Sequence, residues 1–164
     1  MKYNAQVLEL KKTKEEMGST FHGGYISAPL SFENEWGGFW FYSSHLAEMC
    51  MEVFGWNPIA ATAISKNKSV HVIVEYEDFA VNIEFVENCY YSYCGVVTGE
   101  EKSVFKQIEL DYGYKAEAEI FTKVVENGVM PHSYAQLIAP VVFLDAIERS
   151  FTTGKRVEIK MPTI

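Results

Sequence analysis

The chain has 164 residues and a mass of 18.7 kDa, the size of one domain, and at 48% hydrophobic and 22% charged it can fill a core without metal or disulfide staples. Its net charge of −8, from 14 Lys+Arg against 22 Asp+Glu, argues against nucleic-acid binding, since phosphates must be met by a basic footprint and the densest basic run, Lys11-Lys12-Thr13-Lys14, leads straight into Glu15 and Glu16. No apolar run approaches the roughly 20 residues that span a bilayer, and the opening MKYNAQVLELKK lacks a signal-peptide core, so a cytoplasmic protein with no membrane partner is expected.

From Tyr3 to about Met17, Val7, Leu8 and Leu10 recur among Lys and Glu, a helix that Gly18 would cap. Thr20 to about Leu30 (FHGGYISAPL) reads as strand followed by loop. A second helix begins near Trp40, runs through HLAEMCMEVF and ends at Gly55, before Pro58. The middle of the chain is β. Val70, Val72 and Val74 alternate with His71, Ile73 and Glu75; Phe79, Val81, Ile83 and Phe85 share one face of the next run; and Glu77-Asp78 forms the hairpin turn between them. CYYSYCGVV and VFKQIEL predict two further strands around the turn TGEEK. A helix follows from Tyr114 to about Asn127. Ser133 then caps a long one that reaches Phe151 and is kinked at Pro140, and after Gly154 the segment KRVEIK closes as a strand. The order predicts an α+β fold, an open and mainly antiparallel sheet with helices packed on one face. The other face would be wet or covered by a partner.

Three cysteines, Cys50, Cys89 and Cys94, make an odd count. Five residues apart on a single strand, Cys89 and Cys94 would face opposite ways, so a shared metal is not expected and reduced, packing cysteines are. His22, His71 and His132 show no metal-ligand spacing and no triad-like pattern.

Two stretches resemble the glucose–fructose oxidoreductase / inositol dehydrogenase / MocA (Gfo/Idh/MocA) family. Near the C-terminus, Ala146-Ile147-Glu148-Arg149-Ser150, then Thr153-Gly154-Lys155 and Val157, is similar to that family's closing helix, turn and strand. Upstream, GGFWFYSSHLAEMCMEVFG resembles its Gly-Gly segment leading into a helix with a histidine near the start, and VIVEYEDFAVNIEF takes the place of its sheet hairpin. The resemblance implies that residues 1–164 form a single C-terminal substrate-binding and oligomerisation domain whose partner, an N-terminal Rossmann domain holding NAD or NADP, is absent from this chain. No Gly-x-Gly-x-x-Gly follows an opening strand, and Gly23-Gly24 and Gly37-Gly38 have neither the spacing nor the context. The family's Glu-Lys-Pro segment with its catalytic lysine is missing as well. No cofactor site and no catalysis are therefore expected from this chain alone.

In the same terms His45 is the implied catalytic residue, assisting proton movement at a hydroxyl, a task that wants a group titrating near neutrality. Tyr42, Trp36 and Trp40 would line the pocket of a sugar, cyclitol or related polyol, and Ser43 and Ser44 would cap the helix. Where many members carry an aspartate four residues before the histidine, this chain has Phe41. A homodimer or higher homo-oligomer through the sheet is implied too, tested by charges at Val81 and Ile83. The alternative is a free-standing, non-enzymatic dimeric binding module of the same fold.

Overall fold

The first helix starts where Asn4 accepts the backbone N–H of Gln6 (2.9 Å) and stops at Gly18, whose φ of 53° few side chains tolerate. In the computed structural model, which describes residues 1–110 and 113–162, this is α1 (Ala5–Met17). It is followed by β1 (Phe21–Leu30), α2 (Phe39–Phe54), β2 (Ala60–Lys66), β3 (Ser69–Glu75) and β4 (Ala80–Glu87). Then come β5 (Cys94–Gly99), β6 (Ser103–Gln107), α3 (Gly113–Asn127), α4 (Tyr134–Thr153) and β7 (Val157–Glu158).

The strands form one seven-stranded sheet in the order β6-β5-β1-β4-β3-β2-β7. Every pairing is antiparallel except β1 with β4, so the α+β expectation holds. Val70, Val72 and Val74 of β3 and Val81, Ile83 and Phe85 of β4 face α2 and α4 and are buried. Leu46, Met49, Met51 and Phe54 of α2 are buried in the same core, each contributing about 1.5–3 kcal/mol by leaving water. Gly24 lets β1 pass beneath the end of α2. A Cβ there would lie 2.5 Å from both the Phe54 ring and the Val96 carbonyl oxygen. Lys11–Glu52 (2.7 Å) ties α1 to α2, and Lys2–Glu48 (3.0 Å) ties the segment before α1 to the same helix.

Several local expectations are corrected. β1 continues as strand to Leu30, because it is paired on both sides, with β4 and β5. β2 was not foreseen: its inward residues are Ala61 and Ala63, too small to give an alternation signal, yet that smallness admits α4. CYYSYC is not a continuous strand. Cys89 precedes a 3₁₀ turn, Tyr90–Ser92, and β5 begins only at Cys94, so the two cysteines share no strand. β6 ends at Gln107, and the closing strand shrinks to Val157–Glu158. Helix α4 is unbroken across the buried Pro140. Its start is fixed by a capping box, with Ser133 Oγ accepting from the Gln136 N–H (3.2 Å) and Gln136 Oε1 accepting from the Ser133 N–H (3.0 Å). Among the described residues, no helix is long and apolar enough to cross a membrane.

Candidate functional site

The loop before α2 is organised by Asn34. Its Oδ1 accepts the N–H groups of Trp36 (2.9 Å) and Gly38 (3.1 Å), while its amide donates to the carbonyls of Ser31 (2.8 Å) and Gly38 (3.0 Å). Gly37 and Gly38, at φ of 121° and 60°, then turn the chain into the helix. Helical spacing puts Tyr42 and His45 on one face, ring centroids 6.3 Å apart. Ser43 and Ser44 sit inside the helix and cap nothing. Ser44 donates to the Phe41 carbonyl (3.1 Å), and the Ser43 hydroxyl is buried without a partner.

Tyr42 and His45 open onto a cavity of about 180 Å³, lined also by Tyr90, Tyr93, Leu110, Gly113, Tyr114, Glu117 and Met1. Drug-sized ligands occupy roughly 300–1,000 Å³, so there is room here for one small ring. Tyr90 meets the Tyr42 ring edge-on at 6.3 Å, and Tyr93 is held beneath it by the Ile108 N–H (2.9 Å) and the Gln107 side-chain amide (2.6 Å), both donating to its carbonyl. The first turns of α3 bring Tyr114 and Glu117, and the Glu117 carboxylate accepts from the Met1 ammonium at 3.0 Å.

The electrostatics keep these groups neutral. Burial pushes the Tyr93 hydroxyl well up, with Tyr42, Tyr114 and Tyr90 adding to it, and burial together with a hydrogen bond to Tyr90 raises Tyr42. Both remain hydroxyls, able to donate and accept. Burial holds His45 below the usual histidine range, while Glu48 and Glu117 pull the other way. His45 is therefore an uncharged imidazole near neutral pH. Phe41, at the place of the family's aspartate, stacks edge-on against Tyr42 at 4.9 Å and offers the imidazole no charge.

Of the four residues singled out from the sequence, His45 and Tyr42 share this cavity and the tryptophans stand apart from its lining. Trp36 is 68% exposed, 6.4 Å from the Phe41 ring, and Trp40 donates its Nε1–H to Glu148 of α4 (3.2 Å) and packs on Phe39. Tyr90, Tyr93, Tyr114 and Glu117 went unnoticed in the sequence; the density of tyrosine in NCYYSYC was the available signal, and reading it as strand hid it.

The Gly37-Gly38 loop is a poor cradle for a dinucleotide, because the amides of Trp36 and Gly38 are already taken by Asn34. A larger groove of about 630 Å³ lies between α4 and β7, but its Arg149 and Arg156 are paired with Asp145 (3.5 Å) and Glu75 (2.8 Å). Among the described residues, no group of three or more His, Cys, Asp or Glu could hold a metal ion.

No family model and no curated protein matches the sequence. Solved structures do match. A myo-inositol 2-dehydrogenase from Lactobacillus plantarum superposes with a TM-score of 0.77 at 13% identity, over 96% of this chain and 62% of its own. GenD2 of gentamicin A biosynthesis, solved with NAD, gives 0.76 at 17% identity over 96% and 61%. A levoglucosan dehydrogenase in complex with NADH and levoglucosan gives 0.72 at 14% over 96% and 64%. The fold is that of Gfo/Idh/MocA-type dehydrogenases. At these identities the likeness is one of fold, and the chain spans less than two thirds of the length of these dehydrogenases.

Proposed function

We propose that the chain is the C-terminal, substrate-binding part of an NAD(P)-dependent oxidoreductase acting on a sugar, cyclitol or related polyol. The observation that carries this reading is the convergence of a neutral His45 with the hydroxyls of Tyr42, Tyr90, Tyr93 and Tyr114 on a cavity the size of one small ring. The tyrosine rings offer apolar faces to C–H groups, and their hydroxyls offer donors and acceptors to the ring's hydroxyls. His45 takes the proton from the reacting hydroxyl and returns it in the reverse direction. The nicotinamide, held by a preceding Rossmann domain, supplies the hydride acceptor. The exposed apolar residues of α3 and α4 support the presence of such a domain: Phe121 and Val125 are 69% and 68% exposed. The open sheet face takes a second copy, and the protein works in the cytoplasm.

The test is an NMR titration of the chain with myo-inositol and with glucose. Shifts confined to residues around His45, Tyr42, Tyr90 and Tyr93, and lost in His45→Ala and Tyr42→Phe, are expected. Shifts elsewhere, or none at millimolar ligand, would overturn the reading. The preceding domain is tested separately, by the mass of the intact protein in its source cells.

A further inference from the structure

The sheet ends at β7, and among the described residues no strand pairs with its outer edge. From Arg156 to Lys160 exposure alternates residue by residue, as it does along an extended chain. Val157 and Ile159 turn toward the helices and are buried. Arg156 turns to the opposite, bare face of the sheet, where its guanidinium forks onto the Glu75 carboxylate with two bonds of 2.8 Å. Main-chain groups alternate as well. Ile159 gives its N–H to the Ile59 carbonyl on the β2 side (2.9 Å), so the N–H and C=O of Glu158 point outward, to the unpaired edge.

Beside that edge runs the groove of about 630 Å³ whose other wall is α4 from Val142 to Thr153. Its lining is apolar at Val142, Ala146 and Val157. Its charge is the reverse of the chain's. Overall 14 Lys+Arg stand against 22 Asp+Glu, yet here Arg149, Lys155, Arg156 and Lys160 stand against Asp145 and Glu158. Among the described residues neither Lys155 nor Lys160 forms an ion pair, and Arg149 keeps only an exposed 3.5 Å contact with Asp145, which water screens.

We propose that this edge and groove take an extended acidic segment of a partner protein, added as a strand beside β7. Main-chain bonds to the unpaired edge hold such a segment, and its alternate side chains meet two different surroundings. One set drops between β7 and α4, onto Val142 and Ala146, and favours apolar residues. The other set lies on the bare-face side with Arg156 and Lys160 and favours carboxylates. Five residues separate Lys155 from Lys160, about 16 Å of extended chain, a spacing that suits carboxylates strung along a strand and not a single small anion. Charge thus selects the partner, and the edge supplies the register. The groove shares no lining residue with the His45 cavity, so the inference is independent of the ligand proposed there.

NMR titration of the 164-residue chain with a blocked hexapeptide of alternating valine and glutamate tests this. Shifts are expected from Arg156 to Lys160 and along α4 from Val142 to Thr153, with an affinity that falls as salt rises. Three changes should each weaken binding at least tenfold. They are lysine for glutamate in the peptide, N-methylation of the peptide amides, and the double substitution Lys155→Glu with Lys160→Glu, at exposed positions where the protein should melt as the wild type does. No shifts at millimolar peptide, or shifts outside this edge, overturn the proposal. Equal binding of the N-methylated peptide overturns strand addition. Equal binding of the lysine peptide, or the same shifts with inorganic phosphate, overturns the acidic segment as the occupant.

Discussion

Replacing Ser150 by alanine should loosen the corner where the last helix meets the sheet. Ser150 is fully buried, accepts the Ala63 N–H at 2.8 Å and donates to the Lys155 carbonyl at 2.6 Å. The Ala63 amide needs it, because β7 pairs with β2 only at Ala60 and Ala61 and leaves the next inward amide without a strand partner. Alanine would strand the buried Ala63 N–H, at about 1–3 kcal/mol, free the Lys155 carbonyl of an exposed residue to bond water, and recover about 0.5 kcal/mol of helix propensity. A net loss of about 1–2.5 kcal/mol follows, or roughly 2–10 °C in Tm for a chain of this size. Urea denaturation followed by circular dichroism measures it, with an unchanged slope showing that the unfolded state is the same. Ser44→Ala, which removes an exposed bond to the Phe41 carbonyl, is the control and should cost less than about 0.5 kcal/mol. A Ser150→Ala protein as stable as that control would refute the reasoning.

Ser43→Ala should act in the opposite sense and stabilise by about 1 kcal/mol, since it removes a buried hydroxyl that has no partner; a loss in the same urea experiment would count against this. Acid should weaken the fold through two histidines. Burial lowers His45, and burial, with Lys2, lowers His132, so below the unfolded value of about 6.5 the unfolded chain binds more protons. Their contribution is present above about pH 6.5 and is lost as pH falls through the depressed folded values. His45→Gln should flatten Tm between pH 7 and 5, and a profile unchanged in both His45→Gln and His132→Gln would contradict the assignment.

Elements with strong local signals were legible in the sequence. β3 and β4 announce themselves because β-branched residues alternate with polar ones, and a period of two has no other economical reading. α4 is bounded by Ser133 and Gly154, residues whose side chain and left-handed backbone suit those ends and little else. His45 and Tyr42 were named as site residues only through the family resemblance, and that both lie on one face of α2 is what the structure adds. Tertiary structure decided the rest. Alternation says which residues share a face, but not which face the helices cover. Val81 and Ile83 turn out to lie beneath α2 and α4, so charges there would unfold the domain, and the surface open to a partner belongs to Tyr25, Ile73 and Phe105. Trp36 and Trp40, four residues apart, part company because the turn at Gly37-Gly38 falls between them. Tyr90, Tyr93 and Glu117 reach His45 from a 3₁₀ turn, the loop after it and a helix far along the chain. A cavity is closed by such distant segments, and local propensity acts over only a few neighbours. The chain itself thus determined its helices, its hairpin and the identity of its candidate base, and packing chose what faces that base.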